Sequence, residues 1–258
     1  MGIYNCAPYL QEALDSLYAQ TYQNFKIILC DDGSKDETYA IAQKNADEHD
    51  NIVLIRNEKN MGLNYTLNHC LEYADTEYCA RMDGDDISLP TRFEKEIKFL
   101  DENPKYAIVS CPMIYFDENG EFGRGKGSGE PLKANIVSGS PFCHAPCMVR
   151  TEAYKAVGGY TVDKWLLRYE DYNLWMKMYA KGYYGYNLPE CLYAMRDDRN
   201  AVKRRALRSR MNGVYAHYLA YKELKLSLFG FIRYSLSILI AGIIPTPIYN
   251  YIHKKKRR

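Results

Sequence analysis

Asp83, Asp85 and Asp86 close the stretch Tyr78-Cys-Ala-Arg-Met-Asp-Gly-Asp-Asp-Ile87, in which a short apolar run stops abruptly in three carboxylates. Apolar runs of this length bounded by turn residues are buried strands, and in open α/β sheets ligands sit beyond the carboxyl ends of strands. Carboxylates crowded in this way repel one another unless a cation joins them. A hard divalent ion with oxygen ligands, Mg2+ or Mn2+ carrying a phosphate, would relieve that repulsion. The calcium-loop pattern D-x-[DN]-x-[DN]-G is not met, and a solvated Asp-rich loop is the plainer alternative. A second acidic end, Asp31-Asp32-Gly33-Ser34, closes the almost continuously apolar run Phe25-Lys-Ile-Ile-Leu-Cys30. Asp32 and Ser34 suit a helix-starting turn, which leaves Asp31 to contact a ligand. Both clusters would then lie on one rim of one sheet.

The elements that must carry these groups alternate. Pro8 suits a first helical turn, and Leu10, Ala13, Leu14, Leu17 and Tyr18 fall on one helical face. After the strand at 25–30, Ser34 and Glu37 have capping-box spacing, which predicts a helix to about Glu48. Ile52–Ile55 is a strand, Leu63, Leu67, Cys70, Leu71 and Ala74 line a helix, and Tyr78–Met82 is the next strand. A helix bearing Phe93, Ile97 and Leu100 and a strand at 107–111 follow. Alternating strands and helices imply parallel pairing with right-handed crossovers in a doubly wound sheet. A turn is expected at Glu118-Asn-Gly120. Gly123-Arg-Gly-Lys-Gly-Ser-Gly129 lacks the spacing G-x-x-x-x-G-K-[ST] and reads as an active-site flap or a linker. A strand at 147–150, a short helix ending at Gly158-Gly159 and a helix starting near Glu170 and Asp171 and capped by Gly182 complete the pattern.

The chain has 258 residues, 47% hydrophobic and 26% charged, enough to bury one large domain with an appendage. A net charge of +2 does not predict nucleic-acid binding, but basic residues gather from Arg196 to Arg210 and again from Lys254 to Arg258. The eight cysteines are scattered through elements of a chain too large to need stapling, and read as reduced and cytoplasmic. No basic stretch followed by an apolar run opens the chain. Residues 199–225 read as a basic helix, and 226–252 as an apolar segment broken at Pro245 and Pro247. Leu228 to Ile244 is short for a span, which wants about 20 apolar residues. An interfacial helix held by the basic tail fits better. Cys143, His144 and Cys147 lack a second ligand pair for zinc and read as buried thiols beside a histidine. Arg81 and Arg92 flank the acidic turn as ion-pair partners or ligand contacts. Trp165 and Trp175 suit core or acceptor-lining positions.

Tyr4-Asn5, the run Gln20-Thr-Tyr-Gln-Asn-Phe-Lys-Ile-Ile-Leu-Cys-Asp-Asp-Gly-Ser34, Asn60-Met-Gly62, Met82-Asp-Gly-Asp-Asp86 and Glu170-Asp171 together resemble the family 2 glycosyltransferases of GT-A fold, in order and spacing, over roughly residues 3–195. The resemblance implies a Rossmann-like, mostly parallel central sheet flanked by helices over 1–198, and the basic and apolar pattern of 199–258 adds a helical membrane-associating extension. It implies an inverting enzyme that moves a sugar from a nucleotide diphosphate to an acceptor hydroxyl, here on a growing or lipid-linked glycan at the cytoplasmic face of a membrane. By that likeness Tyr4 stacks near the base, Asp31 hydrogen-bonds it, and Asp83 and Asp85 form a D-x-D pair, Asp85 holding Mg2+ or Mn2+ and Asp83 the ribose or a second metal contact. Asp171 matches the catalytic base and Glu170 a substrate-positioning group. His144 and Arg150 match positions that approach the diphosphate, and Trp175 is a substrate-binding candidate. Family members carry several more residues before the Tyr-Asn pair, so the natural chain is expected to begin upstream of Met1. A catalytically silent nucleotide-sugar-binding or membrane scaffold protein is the alternative. A sugar-phosphate nucleotidyltransferase would need a glycine-rich loop with a basic residue after its first strand, which is not present.

Overall fold

The computed structural model describes residues 1–131, 139–197, 207–225 and 228–240. Strand β1 (Gly2–Ile3) leads into helix α1 (Ala7–Tyr18), which buries Leu10, Ala13, Leu14 and Leu17 with Pro8 in its first turn. Strand β2 (Ile27–Asp31), α2 (Thr38–Glu48), β3 (Ile52–Arg56) and α3 (Leu63–Glu72) continue the alternation. The capping box expected at Ser34 and Glu37 does not form. Ser34 Oγ instead accepts the Asn5 N–H, and Asp36 accepts the Thr38 N–H and starts α2. Then come β4 (Tyr78–Ala80), β5 (Ile87–Ser88), α4 (Arg92–Glu102), β6 (Tyr106–Ser110), β7 (Met113–Asp117) and β8 (Gly120–Arg124). The expected turn at Glu118–Gly120 closes the β7–β8 hairpin, so part of the glycine-rich run is strand. Residues 132–138 lie outside the described residues.

β9 (Met148–Arg150), α5 (Thr151–Val157), a 3-10 turn at Lys164–Leu166, α6 (Glu170–Ala180), β10 (Tyr184–Asn187) and β11 (Tyr193–Arg196) complete the strand-bearing body. Gly182, with φ of +87°, ends α6 in the left-handed conformation that glycine adopts without strain. Helices α7 (Leu207–Glu223) and α8 (Leu228–Ile240) follow. The basic helix expected over 199–225 is described from Leu207. The prolines and the basic tail lie outside the described residues. Among those described, no helix is long and apolar enough to cross a membrane.

The strands pair in three groups. β1-β2-β3 is wholly parallel, as the alternation predicts. In β10-β6-β9-β4, β9 runs antiparallel to both neighbours. In β5-β11-β7-β8 only β11 and β7 are parallel. The architecture is α/β with mixed rather than purely parallel pairing, because β9, β5 and β8 return against the main direction. Ile3 pairs with Asp31, and a Cβ on Gly84 would meet Cys6 Sγ at 2.8 Å and Ile3 Cγ2 at 3.0 Å. Both acidic ends therefore flank the top of β1, on one rim. Below β1 the facing stretches Ile27–Ile28 and Tyr78–Ala80 border a cavity of about 520 Å3. All eight cysteines are free thiols.

Candidate active site

The acidic turn is held by cations and donors from this chain. Arg81, almost fully buried, donates through both terminal nitrogens to Asp83 at 2.9 and 2.6 Å. Burial alone would pull the Arg81 guanidinium down, but the Asp83 charge outweighs it and the group is held more firmly protonated than usual. A bidentate pair of this kind fixes geometry as well as charge. The Asp86 carboxylate accepts the Tyr193 O–H at 2.9 Å and the Arg196 N–H at 2.8 Å. Burial, together with the charges of Asp83 and Asp85, pushes Asp86 up to about 7. Tyr193 Oη also accepts the Asp83 N–H at 3.2 Å, and Arg196 Nε donates to the Asp85 carbonyl at 3.0 Å. Strand β11 thus braces the turn from both ends. Arg196 is itself set between the Tyr9 and Phe116 rings at 4.3 and 4.5 Å.

Asp85 is left. Among the described residues no side chain pairs with its carboxylate, and burial and the neighbouring Asp83 charge raise its pKa. Among the same residues no three His, Cys, Asp or Glu side chains converge as a metal cluster. This donor set nevertheless fits one small divalent ion, because Mg2+ is commonly bound through one or two carboxylates with water and substrate phosphate completing the shell. Asp85 fits the role of protein ligand. Asp83 reaches such an ion only by sharing its carboxylate with Arg81.

Within reach of the Arg81 charge, α6 presents Glu170 and Asp171 in its first turn, where the helix dipole favours negative charge. Asp171 accepts the Ser140 hydroxyl at 2.9 Å. Burial raises its pKa, while the Ser140 bond and the charge of Arg81 hold it down. Glu170 is raised by burial too, and its buried Oε2 has no hydrogen-bond partner among the described residues. Arg168, with φ of +71°, turns the chain into this helix in a conformation that costs a non-glycine residue strain. His144 lies alongside: its Nε2 meets Tyr160 Oη at 2.8 Å and its ring packs edge-on to Trp175 at 6.0 Å. Burial and the Arg81 charge push its pKa well below the usual histidine value, so it is a neutral imidazole.

Four expectations are corrected. Arg150 does not face the diphosphate side. β9 is antiparallel to β4, so the register pairs Arg150 with Tyr78, the first residue of β4, at the far end from the acidic turn. There it donates to the carbonyls of Tyr106 and Leu100 and to Glu77. Trp175 is fully buried, with its ring against Phe142 and His144, and belongs to the core rather than to a substrate surface. Asp31 is not left free: the β2–β3 register sets Arg56 opposite it, Arg56 Nε bonds it at 2.9 Å, and the Ser34 N–H donates to it at 3.2 Å. Asp32 does not start α2 as expected; it accepts from the Met61 and Gly62 N–H groups and from Asn57, and so fixes the loop that enters α3. Tyr4 is 42% exposed on the same rim.

Ser140, Tyr160, Tyr193 and Arg196 escaped sequence reasoning as members of this site. Their partners lie far along the chain, with Tyr193 and Asp86 separated by 107 positions, and no local spacing signals such a pair. Arg81 had the ion-pair role weighed for it, and the structure shows that role. Arg92 is turned inward instead, paired with Glu96 at 3.1 Å with both side chains fully buried.

The sequence model for glycosyl transferase family 2 matches residues 1–158. The chain belongs to that family. It is 40% identical over 257 residues to the putative glycosyltransferase EpsE of Bacillus subtilis (strain 168), a match covering 99% of this chain and 92% of that protein. It is 31% identical over 253 residues to the UDP-Gal:alpha-D-GlcNAc-diphosphoundecaprenol beta-1,3-galactosyltransferase of Escherichia coli, covering 96% and 90% of the two chains. The structure of S. aureus TarS residues 1–349 in complex with UDP-GlcNAc superposes with a TM-score of 0.72 at 21% identity, over 92% of this chain and 70% of that one. At that identity the likeness concerns the fold. As a family 2 glycosyltransferase, the chain carries its acidic turn and its Glu170–Asp171 pair on a GT-A-like frame.

Proposed function

We propose that this glycosyltransferase moves a sugar with inversion from a nucleotide diphosphate donor to a hydroxyl of a lipid-linked or growing glycan, with Asp171 as general base. The observation that carries the reading is the Glu170–Asp171 pair: one carboxylate oriented by Ser140, the other with a buried oxygen awaiting a donor. An acceptor hydroxyl that donates its single hydrogen to Asp171 would be placed for Asp171 to take that proton, with Glu170 beside it free to position a second group of the acceptor. The freed oxygen attacks the anomeric carbon on the face away from the diphosphate; the new C–O bond forms as the bond to the diphosphate oxygen breaks, which inverts the centre in one step. Tyr4, exposed on the rim, offers a ring to the base. The neutral His144 adds no charge near the reacting centre. Mg2+ or Mn2+ held by Asp85 would neutralise charge on the departing diphosphate. The galactosyltransferase relative that acts on a diphosphoundecaprenol-linked sugar supports a lipid-linked acceptor. Such an acceptor places the enzyme at a membrane, where the basic C-terminal extension fits an anionic, cytoplasmic surface.

The test is a panel of nucleotide sugars with Mn2+ or Mg2+, scored for binding and for release of nucleoside diphosphate. Asp171→Asn should abolish transfer while leaving nucleotide binding intact. Unchanged turnover would remove Asp171 from the role of base.

A further inference from the structure

Apolar side chains that a water-facing surface would ordinarily shed are gathered on three adjoining elements beside the base. In the loop before α6, Trp165 is 44% and Leu167 64% exposed. Met211 on α7 and Leu228, Phe229 and Ile232 on α8 are also exposed, Phe229 to 77%. Trp165 and Met211 of this set join Tyr215, Tyr218 and Phe231 in lining a pocket of about 380 Å3 between the loop and the two helices, which brings the three elements together. On α8 the exposed apolar positions 228, 229, 232 and 236 repeat at helical spacing, while Phe231 turns inward against Tyr218 and Tyr221. Contiguous exposed apolar surface of this kind marks a docking site.

The rim of the patch is basic and aromatic. Lys164 Nζ sits 5.8 Å over the Trp165 ring and Lys222 Nζ 5.7 Å over Tyr218, and Arg168 and Lys225 are exposed nearby. The acidic residue of the loop, Asp163, is turned inward, accepting the Trp165 N–H and the Tyr215 hydroxyl. Glu223, exposed between Lys222 and Lys225, is outnumbered there by the basic groups. Tryptophan and tyrosine paired with lysine around an apolar face are the composition of a membrane interface. A second copy of this chain would set these lysines against their own equivalents, whereas anionic headgroups complement them.

We propose that this surface docks on an anionic lipid bilayer, engaging it through the loop that leads into α6, the helix bearing the proposed base, as well as through the helical extension. The loop and the extension are tied together: Asn212 Nδ2 of α7 donates to the Leu167 carbonyl at 3.3 Å, and Tyr172 of α6 stacks on His217 of α7 at 5.2 Å. Docking therefore sets the height of Glu170 and Asp171 above the headgroups. This consequence rests on the proposed acceptor, a hydroxyl carried just outside the membrane on a lipid; the docking itself does not.

The test uses the full chain with phosphatidylcholine vesicles, with and without phosphatidylglycerol, in a flotation assay. The wild type should float with the anionic vesicles and far less with the neutral ones. Leu167→Glu and Phe229→Glu, both at exposed positions outside the catalytic groups, should each weaken anionic-vesicle binding by about tenfold, since a charge enters the face that meets lipid. Release of nucleoside diphosphate with a lipid-free acceptor should stay at the wild-type rate in both. Wild-type protein that ignores anionic vesicles would overturn the proposal, as would variants that bind like wild type. Leu167→Glu binding normally while Phe229→Glu does not would overturn the part assigned to the loop. A lipid-free dimer dissolved by the same substitutions would overturn the lipid assignment in favour of self-association. Vesicle binding needs neither donor nor turnover, so failure of the glycosyltransfer reading leaves this result separately readable.

Discussion

Replacing Tyr193 by Phe removes one hydroxyl and disturbs two partners of the acidic turn at once. Tyr193 is fully buried, donates to Asp86 at 2.9 Å and accepts the Asp83 N–H at 3.2 Å. The ring would stay, held 5.1 Å from the Arg92 guanidinium, so no cavity larger than an oxygen opens. A hydrogen bond to a charged group is worth about 1.5–3 kcal/mol, and leaving the Asp83 N–H without its partner adds a further penalty of about 1 kcal/mol. Asp86 keeps the Arg196 N–H, which limits the loss. The expected destabilisation is about 2–4 kcal/mol, measured as a fall in urea midpoint at unchanged slope. Metal-dependent nucleotide binding should weaken as well, because Asp85 lies between the two residues released. Tyr193→Phe combined with Asp86→Asn should cost clearly less than the sum of the single changes, since both remove the same bond. A midpoint within experimental error of wild type, with unaltered nucleotide affinity, would refute the bracing role of β11.

Asp85→Ala should abolish the dependence of nucleotide binding on Mn2+ or Mg2+, read by titrating the metal against a fixed nucleotide. Burial raises the Asp171 pKa, and the base works only when ionised. Transfer should therefore fall, as pH is lowered, through a midpoint above the ordinary aspartate value of about 3.9. Ser140→Ala, which deletes a bond that favours the ionised form, should move that acid limb to higher pH without changing donor affinity. Arg92→Leu should cost about 3–5 kcal/mol in urea unfolding by leaving Glu96 buried without its partner. Burial already pushes Glu96 up to about 8. Without the Arg92 guanidinium, which holds Glu96 down, the carboxyl rises further, so the variant should be most stable where Glu96 is protonated and lose stability as pH rises above the ordinary glutamate value of about 4.3.

Local chemistry was legible along the chain wherever a few neighbouring residues suffice. The apolar runs that end in Asp31 and at Asp83–Asp86, the helical face of Leu10, Leu14 and Leu17, the glycine cap at 182 and the carboxylates opening α6 all rest on spacing within one element. Period and termination are properties of ten or so consecutive residues, and these elements appear where they were expected. Ser34 and Glu37 show the limit even there: the spacing of a capping box was present, yet Asn5 from another element claimed the Ser34 hydroxyl.

What only the tertiary structure decided was direction, register and burial. Because β9 runs antiparallel, Arg150 stands at the far rim from the acidic turn rather than beside the diphosphate. Because β3 pairs in register with β2, Asp31 is shared with Arg56. Because α6 packs its inner face on Phe142 and His144, Trp175 is core. By itself the sequence determined that carboxylates gather at the ends of strands and need a cation. Folding decided that Arg81 answers the charge of Asp83, that Tyr193 and Arg196 hold Asp86, and that the Asp85 carboxylate keeps no side-chain partner among the described residues. The reason is physical: charge repulsion, and the Arg81 partner of Asp83, are written in neighbouring residues, but the groups that hold Asp86 arrive from a strand more than a hundred positions away, through contacts that only close packing creates.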